Sequence, residues 1–315
     1  MRATEDAGNP TISAMRAIVT GGAGFIGSHV VEALVARGDE VHALDDLSKG
    51  KRENVAGRAE LHVADIRDPD DVFDAVRPEA VLHLAAQADV RVSVERPAFD
   101  ADVNVIGTVR ILEASRRHGA HVVFASTGGA IYGECEGPAP EDSPRRPLAP
   151  YGTSKLCGEE YLETYNRLHG TRHVSLRFGN VYGPRQEPHG EAGVVAIFMG
   201  LLRDGGTPQI FGDGRQTRDY VYAPDVARAV LSALDHDGGV FNVGTGVETS
   251  VLDLYAAIEA AAGTTREPKL VPPRPGELQR SVLDVSLAAR DLGWRPDTTL
   301  EDGLAATWDW VTSTA

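Results

Sequence analysis

Two cysteines, Cys135 and Cys157, are all that a chain of 315 residues contains. That is too few for a disulfide framework, and it points to a reducing, cytoplasmic setting. Long apolar runs are missing as well, so no segment is expected to cross a bilayer. Basic charge is in short supply: 31 Lys and Arg face 46 Asp and Glu, a formal net charge of −15. Such a chain is a poor partner for nucleic acid or an anionic membrane. Local arginines can still hold a phosphorylated ligand. The ten histidines are scattered, with no His-Glu-x-x-His and no Cys-x-x-Cys pattern, so no metal is expected. Met1 to Ala14 lack the hydrophobic segment of a secretory signal. Residues 1–14 are therefore expected to be a disordered extension, with the folded chain starting at Met15.

What is present begins at Arg16. Arg16 to Thr20 is a short apolar run of strand character, and Ser28 to Arg37 carries the 3.6-residue periodicity of a helix. Between them lies Gly21-Gly22-Ala23-Gly24-Phe25-Ile26-Gly27. Gly21 suits a sharp turn out of the strand, Gly24 admits a pyrophosphate to the backbone, and Gly27 lets the helix lie close to the sheet. The helix N-terminus then offers free N–H groups to phosphates. A second run, Glu40 to Leu44, ends at Asp45, about 20 residues after the turn. There a carboxylate can accept the adenosine ribose hydroxyls and disfavour a 2′-phosphate. Asp46 follows in a polar loop.

Further runs alternate with helices: Glu60–Ala64 before Asp65 and Ile66, Glu79–Leu84 before Ala85, Ala86 and Gln87, and His121–Ala125. Phe99 to His118 reads as one long helix containing Asn104. This alternation predicts a doubly wound parallel α/β sheet of Rossmann type, with ligands at the carboxyl ends of the strands. After the fifth strand, Tyr151 opens a helix and Lys155 follows four residues later on the same face. An ammonium placed there favours tyrosinate, which makes a proton-transfer catalyst beside a hydride carrier.

In this order the glycine turn, Asp45, Asp65-Ile66, Asn104 and Tyr151…Lys155 resemble the extended short-chain dehydrogenase/reductase family. The likeness spans Met15 to about Trp310 and continues through Asn180-Val-Tyr-Gly-Pro-Arg185, Phe211 to Tyr220 and Arg274-Pro-Gly-Glu277. Within the family it is most similar to the UDP-sugar 4-epimerase group. The resemblance implies a NAD-binding domain over 15–179 and a smaller α/β substrate domain over 180–315, with some segments returning to the first. It also implies NAD as cofactor, a UDP-sugar as substrate and a homodimer. Gly21, Gly24, Phe25, Ile26, Gly27, Asp45, Asp46, Asp65, Ile66, Ala85, Ala86, Gln87, Asn104, Tyr151 and Lys155 would hold NAD. Asn180, Arg218 and Arg274 would hold the diphosphate, Glu277 the uridine ribose, and Phe211 with Val194 and Val195 the uracil.

One departure stands out. The family usually places Ser or Thr where this chain has Gly128, so the hydroxyl must come from Thr127 or Ser126, and Thr127 is the choice. The same loop has Gly129 and Ala130 where nucleotide-sugar dehydratases carry Asp and Glu. The resemblance then implies C4 epimerisation through a 4-keto sugar, Tyr151 moving the C4 hydroxyl proton. Arg91 and Arg185 are candidates to face a C6 carboxylate, which leaves UDP-glucose and UDP-glucuronate both open. A nucleotide-sugar 4-ketoreductase would use the same Tyr and Lys. A NAD-sensing regulator would need neither.

Overall fold

The structure is a computed structural model that describes residues 14–55, 57, 59–188, 193–273 and 278–313. The expected extension over 1–14, save Ala14, lies outside the described residues, as do Arg274 and Glu277. Among the described residues, no helix is long and apolar enough to cross a membrane.

Six strands follow the apolar runs: β1 Arg16–Thr20, β2 Glu40–Asp45, β3 Glu60–Val63, β4 Ala80–His83, β5 His121–Thr127 and β6 Val174–Phe178. With the strand Gly239–Val243 they form a seven-stranded parallel sheet in the order Gly239–Val243, β6, β5, β4, β1, β2, β3. The order reverses beside β1, which puts the crevice for a ligand at the ends of β1 and β4. Strands buried on both faces read as near-continuous apolar runs, and Ala17, Ile18 and Val19 of β1 are fully buried. One face packs on the helices Phe25–Arg37 and Ala223–Ser232 through Val30, Leu34, Val226 and Val230. The other packs on Gly107–His118 and Pro150–His169 through Ile111, Leu112 and Leu162. A separate cluster joins the helices Val194–Arg203, Val251–Ala262 and Leu300–Ser313 around Phe198, Leu254 and Leu304.

Two boundaries differ from expectation. The first helix begins at Phe25 rather than Ser28, because Gly24 already has the extended backbone of a cap. The long helix read as Phe99–His118 starts at Pro97 and carries a π-helical turn over Asp102–Ile106. A wide turn of this kind leaves no mark on apolar periodicity.

Candidate active site

The glycine turn borders the crevice at the end of β1. Gly21 has φ +69°, and a Cβ on Gly27 would fall 2.0 Å from the Gly21 carbonyl oxygen, so the loop closes on itself only with glycine at both places. The first intrahelical bond runs from the Ser28 N–H to the Gly24 carbonyl, and no side chain caps the helix. The N–H groups of Phe25, Ile26 and Gly27 therefore precede the helical ladder, as a pyrophosphate site requires. Asp45 is buried beside this loop and accepts the N–H of Ala23 at 3.0 Å and of Leu47 at 2.9 Å. Burial pushes its carboxyl up, against those two N–H groups. A carboxylate has lone pairs beyond these two bonds, so the loop and a ribose can share it. Asp46 is exposed and accepts from Ser48. Asp65 is clamped by Arg67, whose guanidinium holds its carboxyl below the ordinary range. Ile66 packs against Gly107.

The residues after β4 are fixed from behind. Thr20 Oγ1 accepts the Ala85 N–H at 3.1 Å, and Ala86 beside it is half-buried. Asn104 sits in the π-helical turn and grips both backbone groups of Gln87, each at 2.8 Å. Its amide also reaches Asp100 and Ser154. The Gln87 side chain bonds to Asp89 and Asp100. Both amides were expected to hold NAD; in the structure their hydrogen bonds shape the strand end on which Ala85 and Ala86 follow one another.

Tyr151 and Lys155 lie in the first two turns of the Pro150–His169 helix. That helix approaches the sheet very closely. A Cβ on Gly152 would meet the Ala130 oxygen at 2.5 Å, and one on Gly158 would meet Phe124 at 2.6 Å. The close approach buries Lys155, whose ammonium donates to the Ala125 carbonyl at 2.8 Å and lies 4.8 Å from the centre of the Phe124 ring. Burial lowers its pKa from 10.5 to about 8, held from falling further by Asp100 and Glu159. Tyr151, half-buried one turn earlier, shares the face on which Lys155 lies.

β5 continues two residues beyond the predicted end, so Ser126 and Thr127 leave opposite faces of the sheet. Ser126 faces the helix and donates to Glu159 at 2.5 Å, inside a buried network in which Arg177 pairs with Glu159 at 2.7 Å and bonds to Tyr132. Ser126, expected as one of two candidate catalytic hydroxyls, gives its hydrogen bond to this buried carboxylate. Thr127 remains at the strand end. Gly128 is explained by Leu283, whose side chain would lie 2.6 Å from a Cβ at that position. A leucine from the far end of the chain fills the space that a Ser or Thr would need.

The substrate side is mixed. Asn180 Oδ1 lies 3.5 Å from where a Cβ on Gly129 would stand, so the amide borders the β5 loop. Phe211 and Arg218 are half-buried at the ends of short strands. Val194 opens the Val194–Arg203 helix, and Val195 is buried in the cluster around Phe198. Arg91 is exposed and paired with Asp89, the cap of its own short helix. Arg185, bent by φ +71°, turns to His29 at 2.6 Å and Glu32 at 2.7 Å. Both guanidiniums are thus engaged by carboxylates of the protein itself. Glu187 forms an ion pair with Lys51.

Sequence reasoning missed Glu159, Arg177, Asp219 and Leu283. Glu159 carried a signal, since it continues the four-residue spacing of Tyr151 and Lys155. Asp219 is buried and accepts from the backbone of Thr245, Gly246 and Leu283, tying the Arg218 segment to the Leu283 segment.

Residues 17–244 match the model of the NAD dependent epimerase/dehydratase family. The chain belongs to that family. The UDP-glucose 4-epimerase of Mycolicibacterium smegmatis is 49% identical over 304 residues, covering 93% of this chain and 97% of that one. The crystal structure of the Thermotoga maritima UDP-glucose 4-epimerase with UDP-glucose superposes with a TM-score of 0.93 at 46% identity, covering 95% and 99% of the two chains. The Thermus thermophilus UDP-glucose 4-epimerase in complex with NAD gives 0.90 at 48% identity, covering 96% and 100%. These likenesses run nearly the full length of this family member.

Proposed function

We propose that this family member is a NAD-dependent UDP-glucose 4-epimerase. The observation that carries the reading is Lys155, buried with its ammonium fixed on the Ala125 carbonyl one turn beyond Tyr151, beside a glycine turn fit for a pyrophosphate. The relatives' substrates and the turning away of Arg185 both favour the neutral hexose over the uronate. When bound, NAD would supply the hydride acceptor for C4 and, once reduced, the hydride donor to its other face. Tyr151, as tyrosinate, takes the C4 hydroxyl proton and later returns it. Lys155 stabilises the tyrosinate by its charge. Thr127 bonds the C4 oxygen in place of the family's usual hydroxyl at Gly128. Asn180 and Arg218 hold the diphosphate, about which the 4-keto sugar turns, while Phe211 and Val194 border the uracil.

We read the substrate domain as 180–315, with Gly239–Val243 returning to the sheet. We also propose a homodimer formed through the 97–118 and Pro150–His169 helices. There Ile106, Tyr161 and Leu168 are exposed, whereas Ile111 and Leu162 are core. The experiment is to assay the purified protein with UDP-galactose and with UDP-galacturonate and to measure NAD retained through purification. Conversion of UDP-galactose to UDP-glucose without added cofactor is expected. Activity only with added NADH, or only on the uronate, would overturn the reading.

A further inference from the structure

Two imidazoles and a carboxylate that the candidate active site does not use converge at the outer edge of the main sheet. His42 on β2 is the register partner of Glu60 on β3, and His62 follows Glu60 by two residues, so all three side chains share one face. His42 Nδ1 stands 3.0 Å from His62 Nε2 and 3.6 Å from Glu60 Oε2; Glu60 Oε1 is 3.9 Å from His62 Nε2. One donor atom from each residue lies within 4.8 Å of the other two. The remaining ring nitrogen of His42, Nε2, meets Glu40 Oε1 at 3.2 Å.

We propose that His42, His62 and Glu60 form a binding site for a zinc-class divalent transition-metal ion, with Glu40 orienting His42. An ion that holds its donors at about 2.0–2.1 Å in a tetrahedron spaces them about 3.3–3.4 Å apart. The two nitrogens stand 3.0 Å apart and approach different oxygens of Glu60 at 3.6 and 3.9 Å, distances on either side of that figure, so the exposed carboxylate need only turn to present one oxygen to both. Two imidazoles select against Mg2+ and Ca2+, which take oxygen donors. Ligating histidines commonly donate their other ring N–H to a carboxylate, and Glu40 is placed to accept it: with the Nε2 proton there, the Nδ1 lone pair points at the cluster. The two imidazoles are largely buried, with 10% and 19% of the side chain exposed, so their positions are set by packing. Glu60 is 67% exposed and able to close on an ion, with water in the fourth position. Without an ion, the facing nitrogens need a proton between them. An ion replaces that proton, which moves to His62 Nδ1 or to solvent.

The site would act on the edge of the sheet. Among the described residues β3 is paired on one side only, and an ion joining it to β2 adds a tie just behind Asp45 and Asp65, at the strand ends. The cross-strand arrangement explains why motif spacing gave no hint of it.

The test uses untagged, NAD-loaded protein cleared of metal by chelation. It is titrated with Zn2+ by calorimetry and with Co2+ by visible absorption. One ion per chain is expected, with the intense visible bands of four-coordinate cobalt and no heat from Mg2+. His62→Ala is expected to weaken Zn2+ binding by more than tenfold, on the order of 100-fold, and Glu40→Gln by about tenfold. Glu60→Gln changes an exposed side chain, so it keeps the test valid should the histidine variant fold poorly. It is expected to lose the four-coordinate cobalt bands. Absence of saturable binding, or binding that Glu60→Gln and His62→Ala leave unchanged, would overturn the proposal.

Discussion

Replacing Lys155 by methionine separates what the buried ammonium does for chemistry from what it does to stability. The lysine is 3% exposed, and its pKa falls from 10.5 to about 8, chiefly through burial. That fall corresponds to about 3 kcal/mol against keeping the charge inside at neutral pH. Methionine keeps the stem and loses the charge. It also loses the bond to the Ala125 carbonyl and the contact with the Phe124 ring, together about 1–2 kcal/mol. At pH 7 the variant is expected to be more stable by about 1–2 kcal/mol, while epimerase turnover collapses. The pH dependence fixes the sign. Below about pH 8 the lysine is protonated in both folded and unfolded chains, and the burial cost is fully present. Between about 8 and 10.5 the unfolded chain binds the extra proton, so wild-type stability rises with pH relative to the variant. Urea unfolding of both proteins at pH 7 and at pH 10, at matched NAD content, measures this. A variant that is less stable at pH 7 by the same margin as at pH 10 would refute the reasoning.

Other consequences are as direct. Gly128→Ser should destabilise by about 1–3 kcal/mol, because its Cβ meets Leu283, and Leu283→Ala, costly by itself, should cost less in the Gly128→Ser chain than alone; thermal unfolding of the three variants decides it. Arg177→Leu strands a buried Glu159 carboxylate and should cost about 3–5 kcal/mol in urea unfolding, far more than removal of an exposed arginine such as Arg91. Arg185→Ala should leave the ratio of rates on UDP-galactose and UDP-galacturonate unchanged, since the side chain binds His29 and Glu32; a shift toward either sugar in a paired rate assay would place it in the pocket after all.

The parts of the fold set by local rules were legible. The glycine turn, the parallel strands and the Tyr151–Lys155 spacing each follow from a period or a backbone requirement within a few residues. What the sequence did not disclose depends on distant partners. Thr127 is the choice over Ser126 on sequence, but only β5 running through both shows that Ser126 goes to Glu159. Gly128 looks like a lost hydroxyl until Leu283, far along the chain, is found in its space. That Asn104 grips the Gln87 backbone depends on a π-helical turn that no sequence period marks. Arg185 looks like an anion receptor, yet its left-handed backbone turns it toward the first helix.

One phenol moving one proton is the centre of the proposed mechanism, and Tyr151→Phe tests it. Turnover of UDP-galactose by the NAD-loaded variant should fall by about 10²–10⁴, with UDP-galactose affinity held within a few-fold. Turnover close to that of the unaltered protein would contradict it.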